Sequence, residues 1–220
     1  MLLVLLGRHT KVTGDFSFTY SIVKNDLTGK VISTSLDDRQ TLIEKYPSTV
    51  EEYLEYLESD PRVDVHYGVD GTKLEKFKPL KKMMGSLDMC IFNFPHVGNS
   101  VADQDRNILQ HQKLLVGFFG SAKQMISSNG KILVALFEGE PYNSWNIKQL
   151  ARSCGLQLER SGSFSWQAFP EYHHRLTAKE GSTSTPQRNR SARMYMFRKQ
   201  DDTSDAKSNK RKRDVDSDSE

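Results

Sequence analysis

The sequence predicts an α/β fold, a doubly wound and largely parallel sheet of seven strands with the last strand antiparallel. Three observations carry that expectation. Short apolar, β-branched runs alternate with amphipathic segments along most of the chain. Acidic, amide and glycine residues gather just past the ends of the first four strand segments. The last two strand segments follow one another with no helical pattern between them, as in a hairpin, which reverses the final strand.

Leu2-Leu3-Val4-Leu5-Leu6 is a continuous apolar run ending at Gly7, the pattern of a central strand covered on both faces. After Arg8 to Thr13, Gly14-Asp15-Phe16-Ser17-Phe18 leads into a short helix through Tyr20, Ile22 and Val23. Strand, glycine loop and helix together set free backbone amides against an anionic ligand group. A pair of glycines alone fits any tight turn equally well. Lys30 to Ser35 is the second strand and ends at Leu36-Asp37-Asp38. An acidic residue roughly twenty positions past a glycine loop suits a ribose diol. A helical pattern through Leu42 and Ile43 suits an N-cap just before it. Asp37 is therefore assigned to a ligand and Asp38 to the cap.

Ser48-Thr49-Val50-Glu51 has capping-box form and starts a helix with Val50, Tyr53, Leu54 and Leu57 on one face, ended by Asp60-Pro61. Val63 to Tyr67 alternates as a strand does, with Val69-Asp70-Gly71-Thr72 at its tip. Asp70 there suits either a base amino group or a turn. Lys73 to Lys82 reads as a basic, mobile linker.

The fourth strand, Leu87 to Phe92, runs into Asn93-Phe94-Pro95-His96. Proline has no amide hydrogen and biases the residue before it away from helix, so the strand ends near Phe94. Ligands of open α/β sheets bind at that carboxyl edge, and an amide, an aromatic ring and an imidazole gathered there form a candidate site. A plain strand-to-loop exit reads the same residues without one. Asp103 or Asp105 starts a long helix to about Ser127, with Ile108, Leu115, Phe119, Ala122 and Ile126 at helical spacing, closed by Asn129-Gly130. Lys131 to Phe137 is the fifth strand, and Ser144 is the expected cap of a helix carrying Trp145, Ile147, Leu150 and Ala151. Leu156 to Gly162 and Arg193 to Arg198 are the last two strands. Residues 163–190 between them form a long loop rich in aromatic and basic residues. Loops of that length are usually functional or disordered.

Residues 1–199 are thus expected to be one domain, and residues 200–220 a disordered charged tail. The formal net charge is +3 overall and −2 over residues 201–220, which leaves +5 on the rest and suits an RNA partner. Cys90 and Cys154 lack ligand-spaced partners and the histidines form no metal motif, so no metal is expected. The apolar amino end is too short to cross a bilayer, so no membrane association is expected either. Lys210-Arg211-Lys212-Arg213 has the form of a nuclear localisation signal. The expected setting is a monomer in the nucleus, with the nucleolus as its place there and the cytoplasm as the alternative.

Taken together, Gly14-Asp15-Phe16-Ser17-Phe18, Thr34-Ser35-Leu36-Asp37, Gly68-Val69-Asp70-Gly71-Thr72, Phe92 to Gly98 and Gly139 to Trp145 resemble one family. It is the Rossmann-like domain of large-subunit ribosomal RNA uridine-N3 methyltransferases, shared with proteins that carry a ferredoxin-fold anticodon-binding module. The resemblance covers about residues 1–199 and implies the class I S-adenosylmethionine-dependent methyltransferase sheet. It implies S-adenosylmethionine as cofactor, with Gly7, Gly14, Asp15 and Phe16 near its methionine end, Asp37 at the ribose and Asp70 at the adenine. Asn93, Phe94, Pro95 and His96 resemble the motif with which planar-nitrogen methyltransferases hold their target, and Trp166, Tyr172 and Arg175 would then meet RNA or, equally, cap one end of the sheet. His96 is the nearby group that titrates close to neutrality and is the proposed proton acceptor, with stacking on the base or a hydrogen bond to the loop as the alternatives. Two departures stand out. Arg8 to Thr13 lengthen the first turn, and Phe137 occupies a position where many relatives have lysine. The longer turn keeps open a second reading, a catalytically silent module that binds RNA or ribosome-assembly proteins.

Overall fold

A computed structural model describes residues 2–6, 14–47, 49–97, 103–174 and 190–200, the first of these stretches as backbone. Seven strands, β1 (Leu2–Leu6), β2 (Lys30–Thr34), β3 (Val63–His66), β4 (Leu87–Asn93), β5 (Ile126–Phe137), β6 (Leu156–Ser163) and β7 (Ala192–Lys199), form one sheet in the order 3-2-1-4-5-7-6. Strands β3, β2, β1, β4 and β5 pair in parallel, and β7 runs antiparallel between β5 and β6. The helices are α1 (Ser17–Lys24), α2 (Arg39–Lys45), α3 (Val50–Ser59), α4 (Lys78–Lys81), α5 (Gln104–Met125) and α6 (Ile147–Ser153).

The two-residue period of the strands sorts the core into two layers. Val31, Ile91 and Leu133 face one side, where they pack with Tyr20, Ile22, Leu42, Leu54 and Leu57 from α1, α2 and α3. Ile32, Cys90, Phe92, Ile132 and Val134 face the other, against Leu80, Leu115, Phe118, Phe119, Ala122 and Ala151 from α4, α5 and α6. Burial of a side chain such as Phe92 or Phe118 contributes roughly 2–3 kcal/mol. A third apolar cluster, Phe94, Ala135, Phe137, Phe164, Tyr172 and Ala192, closes the carboxyl edge beyond β4 and β5.

Four local expectations are corrected. The helix α5 stops at Met125, and Asn129-Gly130 lies within β5. There the register slips between Leu87 and Met89, so Asn-Gly serves an irregularity in a strand. Trp145 belongs to a 3-10 turn, Asn143–Trp145, and left-handed Asn146 precedes α6. Ser144 gives its hydroxyl to Glu140 at 2.6 Å and does not cap that helix. The residue before α3 is Thr49, which makes no side-chain cap bond, and Ser48 lies outside the described residues. The basic stretch from Lys73 is packed: Leu74 and Leu80 are buried. Its Leu74 amide donates to Ser121 Oγ at 2.7 Å, and that hydroxyl donates to Glu75 at 2.7 Å. Lysines at the intervening positions hide this apolar spacing from a composition argument.

Gly130 is fixed by space. A methyl group at this position would lie 2.6 Å from the Leu87 carbonyl oxygen and 2.9 Å from the Ser127 amide nitrogen. Both are backbone atoms that cannot turn aside. Gly130→Ala is expected to lower stability by about 1–3 kcal/mol through overpacking, read as a lower urea midpoint at unchanged slope.

Candidate active site at the carboxyl edge of the sheet

Thr34, Leu6, Phe92 and Val134 stand side by side across β2, β1, β4 and β5. Strand β2 ends at that row and β4 one residue past it at Asn93, and the direction of winding reverses between β1 and β4. A reversal of this kind opens a crevice above the strand ends, where open α/β sheets bind ligands. Asn93 directly follows Phe92, Asp37 follows Thr34 after two residues, and Asp70 lies beyond His66, the partner of Thr34. Residues distant in sequence thus share one edge. Gly7 and Arg175 lie outside the described residues.

Asn93 ends β4 opposite Ala135 and is 9% exposed. Its Oδ1 is buried and has no hydrogen-bond partner among the described residues. Leaving a buried acceptor unpaired costs roughly 1–3 kcal/mol, a deficit that a ligand N–H can remove. Phe94 then adopts a left-handed backbone, φ 49°, which a bulky residue rarely does. Its amide still donates to the Ala135 carbonyl at 2.8 Å, and Pro95 brings no further donor. The Phe94 ring is buried against Phe137 at 4.6 Å and His174 at 4.7 Å, and stacks on Trp166 at 5.5 Å.

The next residues meet α5. The His96 ring stands edge-on to His111 at 4.6 Å, and His111 stacks on Trp145 at 4.1 Å. On the other side of the crevice, Asp15 is buried and its carboxylate accepts the Ser17 amide at 3.1 Å. Phe16 has a left-handed backbone and turns its ring into the core near Tyr67, while its carbonyl accepts the Tyr20 amide at 2.9 Å. Asp38 accepts the Thr41 amide at 2.8 Å as the cap of α2, and its neighbour Asp37 is ion-paired with Lys45. Asp70 accepts the Thr72 amide at 2.8 Å and the Thr72 hydroxyl at 2.6 Å, and lies 3.3 Å from Lys73. The turn role is thus occupied at Asp70, which stands at the β3 tip.

The family model described as rRNA (uridine-N3-)-methyltransferase BTM5-like matches residues 12–176. The chain belongs to this BMT5-like family. A relative is the 25S rRNA (uridine(2634)-N(3))-methyltransferase of Saccharomyces cerevisiae, 35% identical over an alignment 258 positions long that covers 94% of this chain and 76% of that protein. The mouse ferredoxin-fold anticodon-binding domain-containing protein 1 homolog is 29% identical over 72% of this chain and 26% of its own length. Solved methyltransferase structures share the fold. A variant of the 16S rRNA (adenine(1408)-N(1))-methyltransferase from Catenulisporales acidiphilia, determined with cosubstrate SAM, superposes with a TM-score of 0.55 at 10% identity, over 91% of this chain and 86% of that one. The antibiotic-resistance methyltransferase Kmr gives 0.52 at 13% identity, over 91% and 87%.

Within this BMT5-like chain one residue assigned to RNA has another use. Tyr172 is 8% exposed and packs edge-on to Phe18 at 5.2 Å and parallel to Trp166 at 5.9 Å, so its ring is spent on the edge cluster. Trp166 is half-buried and gives its indole N–H to the Arg190 carbonyl at 3.2 Å. The Arg190 guanidinium lies 4.3 Å from the Phe137 ring centroid, so a cation covers that ring. His111 was not among the residues the sequence singled out. The usable signal was an imidazole on the same helical stripe as Leu114, Leu115 and Phe118.

The segment after Trp166 is fastened to α1. The Ser17 hydroxyl accepts the His173 amide at 3.1 Å, and Ser21 and Asn25 donate to Glu171 at 2.8 and 2.9 Å. Burial pushes the Glu171 carboxyl up, but the bonds from Ser21 and Asn25 and the charge of Lys24 outweigh it and leave it below its ordinary value. The clamp is therefore fully present above the unfolded carboxyl pKa of about 4.3 and is lost as pH falls through the lower folded value. Glu171→Gln is expected to speed amide exchange across Phe169 to His174 by roughly tenfold at neutral pH. Unchanged protection in hydrogen-exchange mass spectrometry would show that Glu171 does not hold the segment.

Proposed function

We propose that this protein uses S-adenosylmethionine to methylate N3 of a uridine in large-subunit ribosomal RNA. The observation that carries the reading is the buried, unpartnered Oδ1 of Asn93 at the strand tip beside the winding reversal, in a chain of the BMT5-like family. We read the seven-stranded sheet with its reversed β7 as the class I methyltransferase arrangement.

The residues at the edge fit the cofactor. Asp37 at the β2 tip suits the ribose hydroxyls, Asp70 at the β3 tip suits the adenine, and the turn through Asp15 and Phe16 suits the methionine end. Lys45 fixes the place of the Asp37 carboxylate. When bound, S-adenosylmethionine supplies an electrophilic sulfonium methyl that needs alignment more than activation.

Uracil presents at N3 a single N–H donor flanked by two carbonyl oxygens. An asparagine amide carries an acceptor and a donor side by side and matches that edge, so Asn93 Oδ1 receives the N3–H. The lone pair of the imide nitrogen is delocalised, so N3 must lose its proton as it gains the methyl group. Asn93 cannot take up a proton, and His96, three residues on, is the group that does. N3 is reached in an unpaired or extruded uridine, which suits an exposed crevice at a sheet edge. The Lys210 to Arg213 run, outside the described residues, supports a nuclear and nucleolar setting for this activity.

The test is incubation of purified protein with S-adenosylmethionine and a large-subunit rRNA fragment, followed by nucleoside mass spectrometry. Wild type is expected to form N3-methyluridine. Asn93→Ala, which leaves no partner unpaired among the described residues, is expected to lower kcat by roughly a hundredfold to a thousandfold, with cofactor affinity little changed. Absence of N3-methyluridine together with absence of saturable cofactor binding would move the protein to the silent RNA-binding reading.

A further inference from the structure

His111 is 1% exposed and lies on α5, beneath the turn that bears Asn93 and His96. Its Nδ1 lies 2.8 Å from the Asn107 carbonyl oxygen, which can only accept. Its Nε2 receives the Val97 amide, which can only donate, at 3.2 Å. These two contacts leave one consistent state, a neutral imidazole with its proton on Nδ1. An imidazolium would set an N–H against the Val97 N–H. The ring is fixed in orientation by its stack on Trp145, 4.1 Å away and 14° from parallel.

We propose that His111 is the positioning residue of the acceptor turn: through Nε2 it holds the Val97 amide and thereby sets the stretch from Asn93 to His96 against the target base. This deepens the methyltransferase reading and rests on it. The turn is tied at both ends, at the Phe94 amide by the Ala135 carbonyl and at the Val97 amide by His111. Between the ties stand Pro95, which has no amide hydrogen, and His96, whose ring lies against His111. Without the second tie the turn keeps its anchor in the sheet, but His96 loses the support that aims its ring.

Protonation of His111 unfastens the tie. Burial lowers its pKa below the ordinary 6.5, partly offset by the Asn107 carbonyl. The titratable group that faces it is His96 across the turn; the 3-10 turn presents Trp145, and its own helix presents the Asn107 carbonyl. The neutral tie is therefore complete above the ordinary value and is lost as pH falls through the lower folded one.

The experiment compares wild type, His111→Leu and His111→Gln in methyl transfer to the rRNA fragment from about pH 5 to about pH 8, alongside nitrogen–proton NMR of the wild-type imidazoles. Expected are a neutral Nδ1–H tautomer for His111 near neutrality and a kcat roughly tenfold to a hundredfold lower in His111→Leu, with KM for S-adenosylmethionine unchanged. Glutamine, whose carbonyl reaches the place of Nε2, restores most of the turnover. The acid limb of kcat contains two ionisations in wild type and one in His111→Gln. An Nε2–H tautomer, a charged ring near neutrality or full turnover in His111→Leu overturns the proposal. Should His111→Leu not fold, the wild-type tautomer and the His111→Gln limb still decide it. If wild type forms no N3-methyluridine, the methyltransferase reading fails, while the tautomer and the exchange protection of the Val97 amide still test the tie.

Discussion

The carboxyl edge depends on where one ring is buried. Phe94 sits in a left-handed conformation that costs a non-glycine residue about 1–3 kcal/mol. The residue is held there by burial of its side chain among Phe137, Phe164, Trp166, Tyr172 and His174. A buried phenylalanine contributes about 2–3 kcal/mol and each well-placed aromatic pair about 0.5–1.5 more. That is enough to hold the strained turn, and the energy comes from β5 and from the segment after β6. The shape of the acceptor turn is thus set mainly by residues remote from it in sequence.

The same cluster joins the two halves of the crevice. Phe18, on α1, packs on Phe169 at 4.7 Å and on Tyr172 at 5.2 Å. Ser17, at the start of that helix, exchanges hydrogen bonds with both backbone groups of His173. The helix follows immediately on Asp15 and Phe16, so the proposed cofactor turn and the Trp166 to His174 segment share one support. Ordering either side reduces the entropy left to lose on ordering the other, a physical basis for positive coupling between the two.

Much of this architecture was legible from residue order because strands and helices bury surface with different periods. The β-branched run of β2 and the alternation of Ile91 with Phe92 needed no tertiary information. Asp37 and Asp38 could be told apart because capping requires a fixed offset to Thr41, which one of them satisfies. What stayed hidden depends on packing partners. Asn129-Gly130 is normally a turn signal, and its place inside β5 follows from close approach to Leu87. Whether Tyr172 meets RNA or caps the sheet stayed open, because aromatic content in a loop does not say which way a ring faces. The role of His111 depends on Val97, which no spacing rule connects to it.

The chemistry at N3 gives the neutral state of His111 a further consequence. Under the proposed reaction His96 becomes positively charged as it takes the imide proton. A second charge on His111, with ring centroids 4.6 Å apart, would oppose this by about 3–4 kcal/mol at an effective dielectric of about 20. Such a penalty would lower the basicity of His96 at the moment it is needed. A neutral His111, fixed as acceptor by the Val97 amide and as donor to the Asn107 carbonyl, avoids it. The tie that holds the turn and the electrostatics that keep His96 basic then come from one tautomer of one buried ring, so a residue that never touches the substrate constrains both the geometry and the proton transfer.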